Sequence, residues 1–266
     1  MPGRGQPWKK GGLVDFTVNL ADLTQSLQDQ ITAGGGIDHF TQTELLDDFY
    51  YADPGASNFL GSSKYILRNG TGSTITLDQP QSGKLIGGTV FLEVNTTLSG
   101  QGSAFRNSDQ AQSGTHFNSN KPTVMRIRSA LVSDLTLRID GMGLVDDNFS
   151  IFGGATFATF DSSVDEGFYF KKESGGNWIA VSQDSNANTD TDTGVSATVN
   201  VFQDFEIIHT PGVSDVFKID GTTVVTHTTT IADTGVNLFL SHAIVNLGAG
   251  IDRSIEIDLW HVVADR

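Results

Sequence analysis

Two acidic side chains, Glu256 and Asp258, stand two residues apart in the run Ser254-Ile255-Glu256-Ile257-Asp258-Leu259-Trp260-His261, and β alternation puts both on one face of a strand. Carboxyl groups about 5–10 Å apart are the apparatus of glycoside hydrolysis, one as acid and the other as nucleophile or base. Ile255, Ile257 and Leu259 fill the opposite face, so the same two acids also read as the solvated side of an ordinary strand. A second oxygen-rich run, residues 184–194, alternates Asp and Asn with Thr and could present oxygens to calcium. Counted from Asn188, acids fall at the third and fifth positions, but glycine falls at the seventh and Val199 at the twelfth, where a bidentate Glu is required. A solvated hairpin loop is therefore expected there. His39, His116, His209, His227, His242 and His261 are scattered without metal-ligand spacing, and no nucleophile elbow or phosphate-binding loop occurs. With no cysteine, thiolate metal sites, disulfides and a cysteine nucleophile are excluded. These residues predict no catalytic constellation, no metal site and no cofactor.

The elements that would position such residues are strands. Thirty glycines and a charged fraction of 18% in 266 residues describe a turn-rich β protein, and 25 of the 31 acids are Asp, a turn and cap residue. Period-two alternation predicts strands at 74–78, 88–95, 124–130, 134–140, 167–172, 178–183, 199–209, 216–220, 223–228, 236–245 and 254–263. Asp220-Gly221 predicts a type I′ hairpin, and Ser174-Gly175-Gly176-Asn177 a second link. Such strands without helical crossovers imply antiparallel sheets packed as a sandwich or jelly roll, over residues 37–266.

Residues 1–36 are of another kind. Arg4, Lys9 and Lys10 give the first twelve residues a charge of +3, while the rest carries 13 basic against 31 acidic residues, or −18. Four glycines and two prolines around Trp8 predict an extended arm that becomes ordered on a partner. In 19–33, Leu20, Leu23, Leu27 and Ile31 form one helical stripe, opened by Asn19 and closed by Gly34-Gly35-Gly36. The stripe needs a partner surface, either the chain's own body or a second copy; a homo-oligomer, with a trimer preferred, is expected. The overall charge of −15 disfavours nucleic acid and anionic lipid, and no apolar run is long enough to span a membrane.

Along the chain come, in order, Asp47-Asp48-Phe49, Gly87-Gly88-Thr89-Val90-Phe91-Leu92-Glu93-Val94, Lys121-Pro122-Thr123-Val124-Met125-Arg126-Ile127-Arg128, Gly167-Phe168-Tyr169-Phe170, Asn177-Trp178-Ile179-Ala180-Val181, Asp192-Thr193-Gly194-Val195, the hairpin from Phe217 to His227, and the strand Ile255 to Val262. In that order residues 45–264 resemble the concanavalin A-like jelly-roll domains of tailed-phage virion proteins. Val201-Phe202 departs from it where related domains carry Trp. Glu256 and Asp258 also resemble part of the E-I-D-x-x-E strand of the laminarinase and lichenase family, without its second glutamate.

The phage resemblance implies a non-enzymatic virion structural protein, a capsid decoration or head-surface protein assembled in the host cytoplasm. It would be held to the major capsid protein or another virion protein through Arg4, Trp8, Lys9, Lys10 and the Leu20–Leu23–Leu27–Ile31 stripe, with the jelly roll facing solvent. The alternative is a glycan- or receptor-binding tail module, for which three tryptophans are a thin supply of stacking surface. A glycoside hydrolase ranks third.

Overall fold

The computed structural model describes residues 42–47, 66–69, 73–78, 89–94, 100–107, 117–133, 135–147, 149–150, 156, 159–185, 187–248 and 252–265. The arm and helix expected in residues 1–36, with Arg4, Trp8, Lys9, Lys10, Leu20, Leu23, Leu27 and Ile31, lie outside them.

Sixteen strands follow in order among the described residues: β1 (Gln42–Asp47), β2 (Ile66–Asn69), β3 (Ser73–Asp78), β4 (Thr89–Val94), β5 (Gln101–Arg106), β6 (Phe117–Asn118), β7 (Thr123–Ser133), β8 (Arg138–Val145), β9 (Gly167–Glu173), β10 (Asn177–Asp184), β11 (Ala187–Ser196), β12 (Phe202–Thr210), β13 (Ser214–Ile219), β14 (Thr222–His227), β15 (Asn237–Asn246) and β16 (Arg253–Asp265). All pairings are antiparallel. Sheet 1 runs β14-β13-β12-β7-β16-β4-β3, with β1 also on β16; sheet 2 runs β11-β10-β9-β8-β15-β5-β2, with β6 on β15. This is the all-β, antiparallel jelly-roll sandwich expected from the sequence, and no helix occurs among the described residues.

The interior is formed by alternate residues of both sheets. Met125, Ile127, Phe205, Ile207 and Phe217 from sheet 1 meet Met142, Leu144, Phe168, Phe170 and Leu240 from sheet 2. Phe170 sets its edge against Phe205 and Phe217, and Trp178 against Phe205. Both body tryptophans, Trp178 and Trp260, are buried, so neither is a stacking platform for a ligand. The turns follow their residue types: Asp220 and Gly221 both have positive φ, as a type I′ hairpin requires, and Gly175 has φ +64° in the β9–β10 link.

Three local expectations need correction. The strand expected at 134–140 starts only at Arg138, because Leu137 takes a φ of 51° and stands 49% exposed. From there β8 is buried on both faces, so its polar residues do not face solvent. Residues 199–201 precede β12 instead of belonging to it. The solvated loop expected at 184–194 is largely β11, a ten-residue edge strand whose Asp, Asn and Thr content hides it from any hydrophobic pattern.

Polar groups bridge the sheets at the two ends of the interior. At one, the Arg138 guanidinium grips both oxygens of Asp140 (2.8 and 2.6 Å) and donates to the carbonyls of Val132 and Ser254 in sheet 1. At the other, Ser182 donates to Asp215 (2.5 Å), whose second oxygen bonds His209 Nδ1 (2.6 Å), while His227 spans Ser182 and Thr191. Burial holds the pKa of His227 below its usual value, against the opposing charges of Asp215 and Asp190. A Ser, an Asp and two His in one chain of hydrogen bonds suggest nucleophile activation, but Ser182 and Asp215 are fully buried, and the network joins β10 and β11 to β12, β13 and β14.

Sheet 2 is tightest where β8 meets β9. A Cβ on Gly143 would fall inside the contact distance of Tyr169 Cβ and 2.5 Å from the Phe168 carbonyl oxygen. Since backbone must move to admit it, Gly143→Ala should lower unfolding free energy by about 3 kcal/mol, read as a reduced urea midpoint.

Candidate functional site

The outer face of sheet 2 is lined by every second residue of its strands. Phe239 and Val145 lie at one end; then come Ser241, Gly143 and Tyr169; then Ala243, Gly141 and Lys171. On β8 and β15 these middle rows hold only glycine, alanine and serine. Phe149 and Phe160 of the β8–β9 connection lie against them at Gly141. Phe149 and Phe160 stack 4.8 Å apart and 6° from parallel, and a Cβ on Gly141 would sit 2.5 Å from the Phe160 ring. Phe149 also meets Tyr169 edge-on, and Phe149, Phe160 and Val164 are essentially inaccessible.

Polar contacts pin this connection. Asp161 Oδ2 accepts from the Tyr169 hydroxyl (2.8 Å) and from Lys171 Nζ (2.7 Å), which also pairs with Asp190 (2.7 Å). Burial acts to lower the Lys171 pKa, but its hydrogen bonds to the two carboxylates prevail and the pKa is raised. Burial, with the Asp161 charge, raises that of Tyr169, so its hydroxyl stays a donor. Gln183 Nε2 donates to the Val164 carbonyl, and at the root Asp146 N donates to Glu166 O (3.0 Å) and Asp165 N to Asp146 Oδ1 (3.0 Å).

At that root, beyond the last covered row, lies a cavity of about 240 Å³ lined by Asp146, Val236, Asn237 and Phe239. Val236, 38% exposed, supplies the accessible part of an apolar wall to which the buried Phe239 ring adds little surface, exposed Asn237 a carboxamide with donors and an acceptor, and Asp146 a carboxylate. Burial raises the Asp146 pKa above 3.8 despite backbone hydrogen bonds, and the charge of Asp165 adds to the rise. The Arg106 guanidinium lies 5.1 Å from the Phe239 ring centroid and fixes that wall. Glu166 is 4% exposed; Oε1 accepts from Thr234, two residues before Val236, and Oε2 is buried without a hydrogen-bond partner.

The residues singled out from the sequence lie elsewhere. Glu256 and Asp258 are on sheet 1, where Asp258 is the residue skipped at a register shift between Ile257 and Leu259; Glu256 is 6% exposed and Asp258 pairs with Arg128 at 3.4 Å. Among the described residues no group of three or more His, Asp or Glu is arranged to hold a metal ion. No described helix is long and apolar enough to cross a membrane. Asp146, Asn237 and Phe239 escaped the sequence reading, although four phenylalanines within residues 149–160 signal a connection too apolar to lie in water.

The sandwich is that of the concanavalin A-like jelly rolls. Solved structures that share it include a Bacillus licheniformis β-glucanase (TM-score 0.53, 11% identity, 82% of this chain and 97% of that one) and the Emp47p carbohydrate recognition domain (0.54, 11%, 85% and 98%). A Shewanella oneidensis MR-1 protein of unknown function also shares it (0.56, 15%, 85% and 87%). No protein-family model matches the sequence, and no curated protein does. These identities establish likeness of fold. They also overturn the expectation that the chain is not an enzyme, since solved structures that share this fold include a glucanase.

Proposed function

We propose that the protein is a carbohydrate-recognition module of a tailed-phage virion, binding sugar in the cavity between the root of the 146–166 connection and the start of β15. The observation that carries this reading is the convergence of Asp146, Asn237 and Phe239 on one cavity. A carboxylate and a carboxamide together offer the acceptors and donors that sugar hydroxyls need, beside an apolar wall for the C–H face. The presence of a carbohydrate recognition domain and a glucanase on the same fold supports the class of ligand. The virion setting rests on the sequence resemblance and on the basic arm, with residues 1–36 as the attachment to a capsid or other virion protein and a trimer as the preferred assembly.

The test is an NMR titration of the full chain with D-glucose, D-galactose, D-mannose and N-acetylglucosamine. At least one should shift the Asn237 and Phe239 amides, and Asp146→Asn should weaken it about tenfold, the worth of one charge-assisted hydrogen bond, with Asn237→Ala weakening it about fivefold, the worth of a neutral one. No shift with any of the four would sink the reading. An assay for reducing ends on mixed-linkage β-glucan belongs beside it: activity lost in Asp146→Asn places hydrolysis at the cavity, and activity lost in Glu256→Gln places it on sheet 1.

A further inference from the structure

We infer that Phe149, Phe160, Asp161 and Val164 of the β8–β9 connection form a built-in plug over the outer face of sheet 2, so that the cavity beside Asp146 takes a terminal sugar residue and not an internal stretch of polysaccharide. The inference rests on the cavity being the sugar site, and concerns which part of a glycan can enter it. A chain laid along the sheet from Phe239 and Val145 would run onto the rows of Ser241, Gly143 and Tyr169 and of Ala243, Gly141 and Lys171. That path is occupied by protein. Phe160 lies against Gly141, where even a methyl group has no room, and Phe149 packs beside it onto Tyr169.

The plug is also held in place. Asp161 is bonded to both Tyr169 and Lys171 on the sheet beneath, and the Val164 carbonyl to Gln183. Lifting it would expose two phenylalanine rings and strand Lys171 with one carboxylate partner, so the closed arrangement is the resting one. Among the described residues the root carries a cavity of about 240 Å³, below the roughly 300–1,000 Å³ of sites for drug-sized ligands. The volume suits one sugar residue.

The experiment compares the methyl glycoside, disaccharide and tetrasaccharide of whichever of the four sugars binds, by calorimetry on the full chain. Wild-type affinity should change less than about threefold across the series, because residues beyond the first project into solvent. In Phe160→Ala, and separately in the milder Asp161→Asn, the tetrasaccharide should gain affinity and shift the Ile179 and Val181 amides, whereas the methyl glycoside should bind as before. Wild-type affinity that climbs tenfold or more with length would overturn the plug while leaving sugar recognition standing. So would a flat series in both variants whose amide spectra retain the wild-type dispersion of the sandwich. Absence of binding by every member, methyl glycoside included, would overturn both readings.

Discussion

Asp140→Ala should cost the folded state about 3–5 kcal/mol, the penalty for leaving a buried guanidinium without its counter-charge. Arg138 and Asp140 are wholly inaccessible, and the pair is bidentate. The remaining Arg138 donors reach Val132 O and Ser254 O, so the cation cannot swing to water without releasing two carbonyls of sheet 1. Lys172 makes matters worse. Burial already depresses its pKa, Arg138 depresses it further, and Asp140 is the group that opposes them. Without Asp140, two cationic groups face each other in the interior, and Lys172 should lose its proton more readily. The control is Arg138→Met with Asp140→Leu, which removes both charges and should cost clearly less than Asp140→Ala alone. Urea denaturation of the three variants decides it. Equal losses in single and double variants would mean that the pair contributes shape and not charge compensation.

That pair also marks where sequence and structure part company. Reading Leu135, Leu137 and Ile139 as one apolar face treats the charged residues between them as solvent-facing. In the structure Arg138 and Asp140 point into the sandwich, and Ile139 lies under the plug. Period two survives in β8, but its meaning is inverted because both faces are covered. Where only one face is covered, as in β12 and β13, burial alternates and the period-two pattern located the strands, apart from the start of β12. β11 failed for a different reason: an edge strand of Thr, Asp and Asn has no apolar side to read.

The candidate site was less legible than the fold, because its parts carry no motif. Asp146 is one of 25 aspartates, and Asn237 and Phe239 come from a strand some ninety residues later. They meet because β15 pairs with β8, placing Phe239 opposite Val145 at the end of the sheet. Such a long-range pairing cannot be inferred from spacing. The acids that did form a recognisable pattern, Glu256 and Asp258, belong to the other sheet, and the second of them sits in an ion pair with Arg128. A pattern of carboxylates on a strand is frequent in an acidic chain; a carboxylate at a cavity is a tertiary fact.

His242 should make the sandwich acid-labile, and removing it should correct this. Its ring is fully buried in β15, with neither nitrogen hydrogen-bonded to a protein atom, and burial together with the Arg138 charge pushes its pKa down to about 3. The folded state therefore holds His242 neutral, whereas the unfolded chain takes up a proton near pH 6.5. From that point downward the unfolded state binds one more proton. Stability should fall by about 1.4 kcal/mol per pH unit from pH 6.5 until the folded-state pKa is reached. His227, also depressed by burial, adds to the slope in the same direction. Two other groups act differently. Glu206, whose pKa is lowered despite burial by its bonds to Lys218 and Arg126, loses its contribution only as the pH drops below 4.5. Asp146, with a raised pKa, favours the folded state slightly more as it protonates. Between pH 6.5 and 5 the loss should thus come from the histidines, and His242→Leu isolates one of them. Leucine fills the site without burying two unpartnered nitrogens, so the variant should be about 1–3 kcal/mol more stable at pH 7. Its denaturation midpoint should also decline less steeply between pH 6.5 and 5 than that of the wild type. A variant whose pH profile runs parallel to the wild type would show that acid sensitivity resides with His227 instead.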